Sequence, residues 1–131
     1  MKFAFALIGA FLLSSPAVAQ HAHGSQKGPN GGLMVDVAGV HSELLTSGKT
    51  ITINIFDEGK RAVSTKGFTA SALVSVGADR ETLTLLPSSE NSLKGEAKKI
   101  IGEGATISVT LQTAAGMSGQ VRFKQEGASK N

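Results

Sequence analysis

All three histidines of the chain fall between His21 and Glu43, and two of them stand one residue apart. Imidazole nitrogen is the commonest protein ligand for transition metals, so donor chemistry is the first thing this grouping suggests. His21 and His23 follow shortly after the small-x-small triplet Ala17-Val18-Ala19. A chain cut after Ala19 begins Gln20-His21-Ala22-His23. Its free amine, deprotonated backbone amides and an imidazole can then wrap copper(II) or nickel(II) in a square plane. A cut one residue later puts His23 third, the best position for that geometry. The competing reading is a polar chain start without a metal role, in which Gln20 cyclises and the amine is lost.

His41 has different company. Leu33-Met34-Val35-Asp36-Val37 and the run from Val40 to Thr46 both alternate, and Ala38-Gly39 between them can serve as a tight turn. If that loop has two residues, Val37 pairs with Val40, Asp36 faces His41 and Met34 faces Glu43. All four side chains then share the face away from the core, with opposed β-carbons about 4.5–5.5 Å apart. An imidazole, carboxylates and a thioether so placed can hold copper or zinc. The plainer alternative is an Asp36–His41 ion pair on a solvated face, with Met34 partly covered by a neighbouring loop. A longer loop shifts the register and dissolves the cluster. Met117, in a glycine-flanked loop, is a further soft ligand for copper(I) if that loop lies near Met34, and otherwise a gap-filling or surface residue.

Other chemistries find little support. Gly28-Pro29-Asn30-Gly31-Gly32 is followed by neither Lys-Ser/Thr nor a helix, so it is a turn that positions the arm and not a phosphate cradle. In His41-Ser42-Glu43 the serine points to the opposite side of a strand from its neighbours, which defeats a nucleophilic triad. Asp57-Glu58 sits in a turn without pocket-forming residues. The reading is against an enzyme. With no cysteine, thiolate metal sites and cysteine nucleophiles are excluded.

The elements that must position these groups are strands. Ile51, Ile53 and Ile55 alternate with Thr50, Thr52 and Asn54, a half-buried β pattern. Further runs follow at Ala62–Thr65 (short, at an edge), Phe68–Val76, Glu81–Leu86, Ser92–Lys99 (polar, at an edge), Ala105–Gln112 and Gln120–Lys124. About seven to nine strands, spaced some 8–12 residues apart, predict an all-β fold. The expected form is an antiparallel immunoglobulin-like β-sandwich, with a small closed barrel as the alternative. It is expected to span 33–125, after a flexible arm at 20–32 and before a polar tail at 126–131.

The start of the chain explains the setting. Lys2, an apolar run from Phe3 to Leu13 and the Ala-Val-Ala triplet have the layout of a cleaved signal peptide over 1–19. The run is shorter than the roughly 20 residues that span a bilayer. Gln20, not cysteine, follows the cut, which argues against a lipid anchor. The expected location is the periplasm, and removal of 19 residues from 131 leaves 112, enough for one core. The formal charge of +3, or +2 without Lys2, is interspersed and gives no nucleic-acid footprint. Phe56, Phe68 and Phe123 are the only aromatics after the cut, so stacking platforms are absent and a small-molecule pocket in the sandwich mouth has little support.

Gly28-Pro29-Asn30-Gly31-Gly32, a short apolar strand, His41-Ser42-Glu43-Leu44-Leu45, then Ile53-Asn54-Ile55-Phe56-Asp57, Val63-Ser64-Thr65-Lys66-Gly67 and Leu85-Leu86-Pro87 together carry a resemblance. Over roughly 28–123 the chain resembles small exported bacterial β-domain proteins. It also resembles the N-terminal β-domain of some periplasmic adaptor subunits of heavy-metal efflux pumps, which share the Gly-Pro-x-Gly-Gly opening and a His-x-Glu-Leu strand. The resemblance implies a periplasmic β-sandwich linked to copper or other transition-metal handling, with His41 and Glu43 as the positions that carry over. It also implies an efflux-pump component or a metal donor or acceptor protein as partner. The chain lacks the helical hairpin, lipoyl and membrane-proximal domains of an adaptor, so a standalone role fits better.

Two functions follow as expectations. The first is a periplasmic protein of metal handling or resistance, copper first and zinc or nickel next, with His21, His23, His41, Glu43, Asp36 and Met34 as ligands. The alternative is a structural or interaction module without metal, docking a partner through an exposed edge strand.

Overall fold

Ile51, Ile53 and Ile55 are wholly buried, and the strand they build lies in the interior of the sheet. β-Branched side chains fit a pleated surface, and burying each contributes roughly 1.5–3 kcal/mol. The structure is a computed structural model that describes residues 26–125. The expected signal peptide at 1–19, the arm histidines His21 and His23 and the tail at 126–131 lie outside the described residues.

Within them the fold is all-β, with nine antiparallel strands and no helix. The strands are β1 (Gln26–Lys27), β2 (Leu33–Val37), β3 (Val40–Ser47), β4 (Thr50–Phe56), β5 (Thr69–Val76), β6 (Asp79–Pro87), β7 (Ser92–Glu96), β8 (Thr106–Gln112) and β9 (Ser118–Lys124). They form one continuous sheet in the order β1-β2-β3-β4-β7-β6-β5-β8-β9. β2–β3, β3–β4 and β5–β6 pair through tight hairpins and β1–β2, β6–β7 and β8–β9 through longer loops, while β4–β7 and β5–β8 are crossovers. The sheet curls, and its two ends meet where Gly119 of β9 comes against Val37 and Ala38. A Cβ on Gly119 would lie 2.9 Å from Val37 Cγ2 and 3.0 Å from Ala38 N, so only glycine permits this approach.

The inner face is one apolar cluster. Leu44, Ile53 and Leu93 form a row across β3, β4 and β7, and Leu83, Ala72 and Val109 form one across β6, β5 and β8. The two halves join only weakly, because β6 and β7 pair at Leu86↔Lys94 and Pro87↔Leu93 and then diverge.

Some expected strands are shorter or absent. Ala62–Thr65 contributes a single bridge, Phe56↔Ala62, because Thr65 is instead tied to the β6–β7 loop through Glu90 O and Ser92 O. β7 stops at Glu96: Ala97 N–H still donates to Lys49 O, but Lys98 N–H turns to the Glu81 carboxylate and Ile101 N–H to Gly48 O. At the other end the ordered fold takes in more than 33–125. Gln26–Lys27 pairs with β2, and Gly28–Gly32 closes a turn with Gly28 N–H donating to Gly32 O at 2.8 Å.

Candidate metal centre on the β2–β3 hairpin

Ala38 and Gly39 both have positive φ, 52° and 80°, which makes the loop a two-residue turn whose twist matches the strands it joins. The turn fixes the register. Val37 pairs with Val40, Asp36 with His41, Val35 with Ser42, Met34 with Glu43 and Leu33 with Leu44. Asp36, His41, Met34 and Glu43 therefore share the outer face, as the spacing predicts.

The four do not share an environment. His41 Nδ1 is bonded to Asp36 Oδ1. The His41 side chain is 25 % exposed and that of Asp36 78 %. A carboxylate on one ring nitrogen holds the proton there and leaves the other nitrogen, Nε2, as the donor atom for a cation. Across the sheet His41 pairs with the buried Phe56 of β4.

Glu43 is wholly buried, although it lies on the outer face. Oε1 accepts the backbone N–H of Asn30 at 2.8 Å and of Gly32 at 3.0 Å, and Oε2 accepts Asn30 Nδ2 at 2.9 Å. Burying a carboxylate without such partners is costly, and three donors of good geometry supply the compensation. The turn must lie almost on top of the side chain to reach it. A Cβ on Gly28 would overlap Glu43 Cδ, and one on Gly32 would overlap Leu44 O. The Gly-Pro-Asn-Gly-Gly turn is thus a clasp over Glu43. Met34, between Gln26 and Glu43 in the pairing, is also buried.

Met117 is half-exposed at the tip of the hairpin, where a Cβ on Gly39 would lie 3.0 Å from its Cε and 3.5 Å from its Sδ. Among the described residues no three His, Cys, Asp or Glu side chains are grouped to hold an ion. His41 and Asp36 come together at the surface; Glu43 lies beneath the clasp and Met34 is buried beside it in the register; His21 and His23 fall outside the described residues.

Sequence reasoning did not find the partner of Glu43. Asn30 between glycines looks like turn chemistry, and only its position over β3 makes its two N–H donors a carboxylate site. The buried Ser92–Asn54 hydrogen bond, Oγ to Oδ1 at 2.6 Å, continues the same outer row beyond Glu43 and was equally silent in the strand alternation. Comparison with family models, with curated proteins and with solved structures finds no match for this chain.

Proposed function

We propose that the chain is an exported, non-enzymatic metal-binding protein, copper first, in which His41 and the arm histidines His21 and His23 share one ion. Asp36 orients His41. Zinc and nickel are the second choices for the same donors, since imidazole suits all three.

The observation that supports this reading most is the direction in which the arm leaves the sheet. β1 lies antiparallel to β2 with Lys27 beside Leu33 and Gln26 beside Met34, so at Gln26 the strand, followed toward its N-terminus, points along β2 in the direction of Asp36. His23 is three residues from Gln26, a reach of about 10 Å when extended. Asp36 lies two residues past Met34, about 7 Å along the strand. Beyond Asp36 the inner side of the hairpin is taken by Gly119 of β9, while on the outer side the Asp36 side chain is exposed. The hairpin supplies one well-oriented imidazole, and the arm supplies the remaining nitrogen donors. In this reading Glu43 and Met34 serve the platform and do not ligate, because the clasp uses three of the carboxylate's acceptor positions.

As finer descriptions, we propose an immunoglobulin-like sandwich and a periplasmic location. Two crossovers, with β6 paired to β5 along its length and to β7 only at its end, support the sandwich. The likeness to adaptor β-domains supports a metal donor, an acceptor or an efflux-pump component as partner.

Calorimetric titration of the chain beginning at Gln20 with copper(II) and zinc tests the reading. His41→Ala and a chain starting at Ser25 should each weaken binding at least tenfold. A wild type that binds no tighter than about 10 µM, or equal affinity in a free peptide of the arm, defeats the shared site and favours the interaction module.

A further inference from the structure

The β6–β7 ladder ends at Leu86↔Lys94, while β6 stays with β5 as far as Val76↔Asp79 and β7 stays with β4 as far as Thr50↔Glu96. Between the β5–β6 hairpin and residues 97–101, which follow β7, lies the β6–β7 cleft, of about 280 Å³, just below the usual range for ligand sites. Its floor is aliphatic, from buried Val74, Ala97 and Ile101. Its rim carries Val76, 44 % exposed, and Ile100, 72 % exposed. These are two of the four large hydrophobic side chains left exposed among the described residues, and both line this one cleft.

The charges at its mouth are unequal in what they have left to offer. Both oxygens of Glu81 accept the backbone N–H of Lys98, at 2.9 and 3.1 Å. Asp79 is paired with Lys99 Nζ at 3.3 Å. Both carboxylates of the lining are therefore engaged. Arg80 and Lys98 line the same cleft, and neither enters a salt bridge among the described residues. The lining contains no aromatic ring, so nothing selects a planar ligand.

From this combination we infer that the β6–β7 cleft binds a small aliphatic anion: an unbranched hydrocarbon body against Val74, Val76, Ile100 and Ile101, with a carboxylate at Arg80 and Lys98. Exposed valine and isoleucine walls give the body a place out of water, and Arg80 and Lys98, which outnumber Glu81 as the one carboxylate of the lining without a cationic partner, set the sign of the head group. The site is independent of the histidines and of any metal.

Decanoate, titrated into the full chain and followed by amide chemical shifts and calorimetry, is the probe. Binding is expected with a dissociation constant below about 1 mM and with shifts centred on Val76, Arg80 and Ile100. Decyltrimethylammonium, with the same body and the opposite charge, should bind at least tenfold more weakly. Ile100→Glu should cost at least tenfold in decanoate affinity, and Arg80→Glu with Lys98→Glu should reverse the preference between the two amphiphiles. Ile100, Arg80 and Lys98 are exposed, so these chains should fold; if one does not, the other decides. Equal binding of both amphiphiles, or decanoate affinity untouched by either change, overturns the proposal. So does a dimer in sedimentation that Ile100→Glu dissolves, because a second copy is then the occupant.

Discussion

Glu43 Oε1 accepts the backbone N–H of Asn30 at 2.8 Å, tying the chain before β2 to the middle of β3 across thirteen residues. With the Gly32 N–H and the Asn30 side-chain amide on the same carboxylate, it converts a glycine-rich turn into a cover for the outer face of the sheet. The cover decides which of the hairpin's donors remain available, and so it shapes the metal reading as much as His41 does.

Removing the carboxylate should cost stability and leave metal affinity alone. Glu43→Ala strands two backbone N–H groups and opens a cavity, a loss of about 3 kcal/mol or more. Glu43→Gln keeps one acceptor oxygen and should lose about half as much. Urea denaturation measures the first effect and copper titration of the folded protein the second. A tenfold fall in copper affinity with the fold intact would return Glu43 to the ligand set.

The glycines of the clasp should rank by what their missing Cβ would meet. Gly31, at φ 83°, has open space around it, so Gly31→Ala pays only the left-handed backbone penalty of about 1–2 kcal/mol. Gly32→Ala drives a methyl into the carbonyl of Leu44 and the side chain of Leu45, and Gly28→Ala drives one into Glu43 itself. Both should exceed Gly31→Ala, with Gly32→Ala the worst because backbone cannot step aside. Melting temperatures of the three variants give the order.

Much of this fold was legible in the chain. Alternating isoleucines announced β4, and Ala38-Gly39 gave the register that sets Asp36 against His41 and Met34 against Glu43. What escaped was the burial of that outer face. Alternation sorts side chains between two faces, but it does not say that a second segment returns to cover the outer one. β1 is two residues long, too short to show a period, and Asn30 reaches Glu43 only through the fold. The β6–β7 cleft was hidden for a related reason. It lies between the β5–β6 hairpin and the segment that follows β7, and no residue pattern within either records where the other packs.

Ser42 should tolerate alanine without loss. Its hydroxyl is wholly buried on the inner face, between Val35 and Ile55 in the pairing, and has no hydrogen-bond partner among the described residues. Ser42→Ala removes an unsatisfied polar atom and nearly no volume, so stability should rise by up to about 1 kcal/mol. A loss of more than about 1 kcal/mol in denaturant titration would reveal a partner for the hydroxyl.

Asp36 should matter for the metal and hardly for the fold. Its side chain is 78 % exposed, and a pair so exposed contributes little to stability once water screens it. Asp36→Asn keeps the shape but weakens the pull on the Nδ1 proton of His41. Loss of such a partner behind a ligating imidazole typically lowers metal affinity about 10–100-fold. The expected result is an unchanged melting temperature with copper binding weakened about tenfold. If both stay unchanged, the ion does not sit on His41.

The turn offers a way to strengthen the platform without touching a donor. Ala38 sits at φ 52°, in the left-handed region that favours Asn and Gly, and Gly39 follows at φ 80°. Asn-Gly is the favoured pair for this turn type, because the asparagine side chain tolerates the first position better than a methyl does. Ala38→Asn should stabilise the protein by about 0.5–1 kcal/mol. Ala38 also packs against Gly119 of β9, so the gain requires the asparagine amide to point away from that contact. Since the turn fixes Asp36 opposite His41, a firmer turn holds His41 more steadily toward the arm and should slow copper release. Stability rising while copper dissociation slows supports a site on the hairpin. Stability rising with dissociation unchanged places the ion on the arm alone.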